Sequence, residues 1–394
     1  GEPRYDEPLL PEESDLPIDP STDVPHGYDE RQRDQPGGFM GDPDVFDTWA
    51  TSSLTPQIAG GWEEDDDQFG RVFPMDMRPQ GHDIIRTWLF ATMTRSHHEF
   101  GCAPWSHAAL SGWILDPDRK KMSKSKGNVV TPLDLFETYG TDAVRYWASS
   151  ARPGVDAAFS EDQMKVGRKL ANKLLNVTKF VLQFGAPSAD TSLDDGVTEP
   201  VDRSMLAKLD AVIDDATAAF EAFDYARALE RTEAFFWWFC DNYVELVKGR
   251  TYDEDRPEAA DSAKRALREA LGTVQRLFAP ILPFATEEAW SWWNDSSVHS
   301  SSWPTPAGTG SSSFGDPALA DAAIEVLTQV RRAKTEAKRS QRAPVESLVV
   351  TAPSELHAAI DAGRSDLVDA GSIRDLQLVE GDSVSTVVTL ADDG

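Results

Sequence analysis

The sequence predicts an α/β region, then an all-α region, then a small α/β cap. Three observations carry this. Strand-like and helix-like stretches alternate from Val45 to Leu115. From Ser160 onward apolar residues recur at Met164, Leu170, Leu174, Val177, Val181 and Phe184, the stripe of a helix, and further helices fit 200–222, 225–249, 257–279 and 284–294. A last helix, about 318–341, precedes strand-like Val345–Thr351 and Leu376–Leu390.

Length and composition set the bounds. A chain of 394 residues has room for two or three domains, and 40% hydrophobic residues make it globular. Lys+Arg is 38 against Asp+Glu 67, a formal net charge of −29. The acid is dispersed among apolar segments rather than gathered in a tail. Such a surface keeps a protein hydrated at very high salt, so the expectation is a salt-loving, archaeal-type cytoplasmic protein whose net charge says little about partners. Cys102 and Cys240 form no CxxC pair and no zinc motif, which fits a reducing compartment. No run of 18 apolar residues and no signal peptide are present, so no membrane is expected.

Residues 1–43 are rich in Pro, Asp, Glu and Gly and read as a linker or the end of an inserted domain, in a chain that opens mid-protein. The unit 44–159 follows. Its Phe73–Gly81 stretch reads as a strand turning into a helix from about Ile84 to Phe100. Gly81 permits close backbone approach, and Asp83 stands where an acceptor caps free N–H groups. His97 and His98 are adjacent on that helix, so they point to different faces and make a poor metal pair. Trp105–Leu115 reads as one apolar strand with Gly112 inside it, which fits either close approach of a ligand or a bulge.

The stretch Lys120-Lys121-Met122-Ser123-Lys124-Ser125-Lys126-Gly127-Asn128 follows the turn Asp116-Pro117-Asp118. It places four lysines, two serines and a glycine in nine residues of an acidic chain. It is either a solvated basic loop or a polyphosphate site. In the second case the ammoniums neutralise charge, while hydroxyls and backbone N–H groups donate. Beyond it come the helical unit 160–295, opened by a Ser160/Gln163 capping pair, a Ser/Gly/Pro/Thr-rich linker at 296–317, and the small unit 318–394. Arg331, Lys334, Lys338 and Arg342 are spaced 3, 4 and 4 apart, so they line one face of the last helix, as a phosphate-backbone contact or a solvated face.

The loop's KMSKS order resembles the signature of the class I aminoacyl-tRNA synthetases. "DVFDTWATSS" (Asp44–Ser53) is similar to a valyl-type stretch of that family, and "YGTDAVRYW" (Tyr139–Trp147) to the segment after the signature loop. "WWFCDNYVELVK" (Trp237–Lys248) and "LFAPILPFATEEAW" (Leu277–Trp290) resemble its anticodon-binding bundle. The resemblance covers most of residues 44–295. It implies the C-terminal half of a class I nucleotide-binding, Rossmann-like fold, a helical anticodon-binding bundle and a small α/β cap. It implies ATP as substrate with Mg2+, no protein-held metal, and valine and its tRNA as partners.

By the same resemblance Lys121 and Lys124 are catalytic through electrostatics on the phosphates. Gly81, Asp83, Gly112, Ile114, Ser123 and Ser125 join these lysines around ATP. Trp49 and Ile84 face the amino acid, a flat indole suiting a branched side chain. Phe180 in "NVTKF" stacks on an anticodon base. The family's HIGH-type histidine motif is missing, since "SHHEF" (Ser96–Phe100) is not one, and there is no room for an editing domain. The expectation is a fragment, or one half of a split enzyme whose separate N-terminal half carries that motif, inactive alone. A non-catalytic tRNA-binding module and an isoleucyl-type half are the alternatives.

Overall fold

A computed structural model describes residues 4–44, 48–123, 127–185, 193–307 and 314–391. The chain divides into two compact units, 1–110 and 111–394.

In the first unit, residues 4–44 are more than a linker. The Arg33 guanidinium donates to Pro20 O and Asp23 O at 2.9 and 2.8 Å and pairs with Glu30. It also lies 4.9 Å from the ring centre of Phe39, which is buried. One arginine thus collects three turns of a proline-rich segment that has no periodic core of its own. Three short helices follow: α1 (Trp49–Ser52), α2 (Thr55–Gly60) and α3 (Asp66–Val72). Pro56 lies in the first turn of α2, and the Asp65 carboxylate caps α3 by accepting from Gln68 N. Strand β1 (Met75–Gly81) runs through a 3-10 turn and a π turn (Ile85–Leu89) into α4 (Phe90–Phe100). β1 pairs with β2 (Trp105–Ser111).

The second unit begins where the expected Trp105–Leu115 strand breaks, at Gly112-Trp113. Strand β3 (Ile114–Leu115) pairs in parallel with β4 (Ala157–Ala158), Ile114 opposite Ala157. Between them lie the lysine loop, α5 (Leu133–Tyr139) and α6 (Thr141–Ser149). The helical body comprises α7 (Glu161–Gln183), the short α8 (Leu193–Gly196), α9 (Pro200–Glu221) and α10 (Tyr225–Trp238). A π turn leads to α11 (Val244–Val247), followed by α12 (Pro257–Phe278) and α13 (Pro283–Ser291). Ser160 Oγ accepts from Gln163 N and starts α7, and Pro stands in the first turn of α9, α12 and α13.

Two expected domain breaks are bridged. Asp142 of α6 accepts from the free N–H groups of Phe284 and Ala285 that open α13, and Tyr146 Oη donates to Glu233 at 2.8 Å. Residues 133–159 therefore pack with the helices after 160. The described part of 296–317 also packs down, because it carries apolar side chains that the Ser/Gly composition masks. Trp303 Nε1 donates to Thr217 Oγ1 at 2.9 Å, and Val298 and Phe314 are buried.

The last helix, α14 (Leu319–Glu336), ends five residues short of expectation. Strand β5 (Val345–Ala352), α15 (Ser354–Ala362), α16 (Arg364–Gly371), β6 (Leu376–Glu380) and β7 (Ser385–Leu390) complete the chain. β5 is central, parallel to β6 and antiparallel to β7. One apolar core runs from Leu174 and Phe236 through Leu271 and Val330 to Leu348 and Leu367, so the cap shares the bundle's core. Among the described residues no helix is long and apolar enough to cross a membrane.

Candidate functional site

The lysine loop is held at its base by two side chains. Asp116 is buried, and its carboxylate accepts from Lys120 N at 2.8 Å and from Asn128 Nδ2 at 2.7 Å. These bonds hold its carboxyl below the usual carboxylate range. Asn128 also accepts from Ser123 N at 3.0 Å and donates to Lys121 O at 3.3 Å. Arg119 takes the left-handed φ of 63° that the tight turn requires. Lys121 Nζ lies 3.8 Å from the ring centre of Trp113. Lys120 pairs instead with Asp118 at 3.6 Å on the surface. Lys124 and Ser125 lie outside the described residues.

Gly112 makes a close approach, but to its own chain. A Cβ there would lie 2.2 Å from Val155 O and 2.5 Å from Asp156 N. Trp113 N donates to Asp156 Oδ1 at 2.7 Å and fixes this backbone crossing, which by itself requires a glycine. Ile114 follows on β3, 53% exposed.

In the other unit Trp49 opens α1 and is 37% exposed. α1 is fixed by Trp88 Nε1, which donates to Ser52 O at 2.6 Å. Trp88 stacks on Trp105 at 5.5 Å, and the Arg78 guanidinium lies 4.1 Å from the centre of the Trp88 ring. Gly81 ends β1, and a Cβ there would meet only Asp83 Oδ1, at 2.7 Å. Asp83 is exposed and Ile84 half-buried. The short turn His82–Ile84 has no side-chain cap at its start, where Gly81 stands.

On the helical body Phe180 is half-buried, edge-on to Phe184 at 4.9 Å, and Phe184 in turn meets the exposed Tyr252 at 5.5 Å. The basic stripe does not survive folding. Lys334 is 1% exposed, and its ammonium donates to Gln341 O, in the turn between α14 and β5, and to Gly371 O at the end of α16, so it is no phosphate contact. Burial, with Arg331 nearby, pulls its pKa down. Arg331 is half-buried and held by Glu245 at 3.2 Å. α14 stops at Glu336, which leaves Lys338 (φ 55°) and Arg342 exposed on the turns beyond it, off any common helical face.

Sequence reasoning missed Asp116, Asn128 and Trp113. The Asp and Asn residues flanking the loop were the available signal, since such side chains bond nearby backbone. Among the described residues no three His, Cys, Asp or Glu side chains are grouped to hold a metal.

Residues 20–160 match the family model of class I tRNA synthetases of the I, L, M and V type, and 202–350 that of the anticodon-binding domain of tRNA ligases. The chain is 57% identical to the valine–tRNA ligase of Salinispora tropica over 98% of its own length, and 60% identical to that of Thermobifida fusca over 95%. It spans 47% and 42% of those relatives, under half of each. These relatives are actinobacterial, which does not support the archaeal source expected from composition. In fold it resembles a ternary complex of Agrobacterium radiobacter K84 LeuRS with tRNA and LeuAMS (TM-score 0.55, 21% identity, 68% of this chain and 35% of that one). It also resembles Mycobacterium tuberculosis methionyl-tRNA synthetase with methionyl-adenylate (TM-score 0.51, 22% identity, 61% and 48%).

Proposed function

We propose, for a chain that belongs to the class I aminoacyl-tRNA synthetases, that it supplies the phosphate-clamping and anticodon-reading parts of a valine–tRNA ligase. The reaction joins valine and ATP into valyl-adenylate and pyrophosphate, then passes the valyl group to its tRNA. The observation that carries this is the 57–60% identity to valine–tRNA ligases along nearly the whole chain. The same observation favours valine over isoleucine.

Lys121 and Lys124 offset charge on the phosphates as the α-phosphorus is attacked, with Ser123 and Ser125 as donors. Asp83 accepts from ribose hydroxyls beside Gly81, and Ile114 meets adenine through backbone groups. Trp49 and Ile84 face the valine side chain. Phe180 stacks on an anticodon base, and Lys338 and Arg342 touch the tRNA backbone. Among the described residues no group of three His, Cys, Asp or Glu side chains is placed to hold Mg2+, so it would arrive on the nucleotide's phosphates.

The test is valine-dependent ATP–pyrophosphate exchange, with the chain alone and mixed with a separately expressed N-terminal half of the Thermobifida fusca enzyme. Exchange only on mixing, lost in Lys124→Ala, is expected. No exchange in either case, with tRNA binding retained, would leave a non-catalytic RNA module. Repeating the assay in low and molar KCl tests whether the net charge of −29 reflects salt adaptation.

A further inference from the structure

We infer that Trp113 is a positioning residue for Lys121, its indole presenting that ammonium to the phosphates of the nucleotide. This rests on reading the lysine loop as a polyphosphate site.

Both partners are anchored through their backbones. Trp113 N donates to Asp156 Oδ1 at 2.7 Å, and Trp113 O accepts from Ala157 N at 2.9 Å. The preceding Gly112 is packed against Val155–Asp156 with no room for a side chain. The backbone that carries the indole is therefore fixed. Lys121 is bridged to Leu115 across the loop base, and its carbonyl accepts from Asn128. Its long side chain then spans a set distance to the ring, with Nζ 3.8 Å from the ring centre.

The choice of partner matters in an acidic chain. Lys173 and Lys208 also lie near indoles, those of Trp237 and Trp238, but each is paired at 2.8 Å with a carboxylate, Asp241 and Asp321. Those carboxylates cancel the charge. Among the described residues Lys121 has no carboxylate within ion-pair distance, and an aromatic face attracts a cation without neutralising it. The ring takes one side of the ammonium and leaves N–H groups on the exposed side for phosphate oxygens. It also removes rotamer freedom that a free lysine would lose on binding.

The experiment uses the whole chain and inorganic tripolyphosphate as probe. Lysines are 13C-dimethylated, which keeps their charge, and the Lys121 resonance is assigned by its loss in Lys121→Arg. It should be displaced upfield by the ring current, collapse to the ordinary position in Trp113→Leu, stay displaced in Trp113→Phe, and move on adding tripolyphosphate. Trp113→Leu should weaken tripolyphosphate binding about five-fold, the equivalent of about 1 kcal/mol. Trp113→Phe should weaken it less, and in a Lys121→Ala background Trp113→Leu should change nothing further.

Equal losses in Trp113→Leu and Trp113→Phe, or additive effects of the Trp113 and Lys121 changes, would reduce Trp113 to packing and overturn the inference. Weakening by Lys121→Ala with none by Trp113→Leu would overturn it and leave the polyphosphate reading intact. No effect of Lys121→Ala, and a resonance that tripolyphosphate does not move, would overturn both.

Discussion

Asn128 Nδ2 donates to Asp116 Oδ2 at 2.7 Å, so the two ends of the lysine loop are joined by a side-chain hydrogen bond across twelve residues of sequence. The carboxylate also takes Lys120 N, and the Asn128 amide oxygen takes Ser123 N. Two short polar side chains thus satisfy three backbone groups at the base of the loop, Lys120 N, Ser123 N and Lys121 O.

Asn128→Ala is expected to speed amide hydrogen exchange at both Lys120 and Ser123. Ser123 loses its acceptor directly, and Lys120 loses it as Asp116 is freed. The Asp116 carboxyl is held below its usual range by the Lys120 and Asn128 bonds. The stabilisation is thus complete above the unfolded value of about 3.9 and fades as pH falls through the lowered folded value. Protection should be flat across neutral pH and lost only in strong acid. Protection lost already near pH 6 would contradict this.

Arg250 joins α9 to α16. It bonds the buried Asp202 at 2.7 and 2.8 Å and the buried Asp366 at 2.8 Å, while Tyr243 Oη and Ser262 Oγ complete Asp202 at 2.7 Å. Arg250→Met leaves two carboxylates buried with no cation and should cost about 3–5 kcal/mol in urea melts.

Burial outweighs Arg250 at Asp366 and pushes its carboxyl up to about 6. The folded state then holds a proton that the unfolded chain releases near 3.9, so stability falls as pH rises between about 4 and 6 and is level above. The fall attributable to this group is at most about 3 kcal/mol. Asp366→Asn should remove that slope, and thermal melts across this range in both proteins measure it.

Gly112→Ala and Gly81→Ala should differ sharply. At Gly112 the new Cβ meets backbone at 2.2 Å and β3 must separate from β4, a cost of roughly 3 kcal/mol. At Gly81 it meets only the Asp83 carboxylate, which can rotate away, so stability should drop by less than about 1 kcal/mol. If Asp83 holds the ribose, ATP affinity then falls without unfolding. Chemical denaturation and ATP titration separate the two effects.

Lys334→Met leaves Gln341 O and Gly371 O without their donor and should destabilise the chain by about 1–3 kcal/mol without altering the salt dependence of tRNA binding. Lys338→Ala with Arg342→Ala should do the reverse, leaving the melting temperature unchanged and lowering the salt slope by roughly 0.7–0.9 for each cation removed. Filter binding over a salt series checks both.

The sequence by itself determined what is local. Apolar spacing from Met164 to Val181 set the long α7, Ser160 set its start, and the order of residues in the lysine loop and in Asp44–Ser53 pointed to a family. Tertiary structure decided what depends on residues far apart. Lys334, read as a phosphate contact or part of a solvated face, is buried, with Gln341 and Gly371 offering it carbonyls. Gly112, read as fitting either a ligand's close approach or a bulge, has the space on its Cβ side filled by the Val155–Asp156 backbone. The Ser/Gly-rich linker packs through Val298, Trp303 and Phe314 onto a bundle that composition does not reveal. A periodic pattern or a cap is written within a few residues. Whether a charge is solvated or a glycine crowded depends on which distant segment arrives beside it, and only the folded chain sets that.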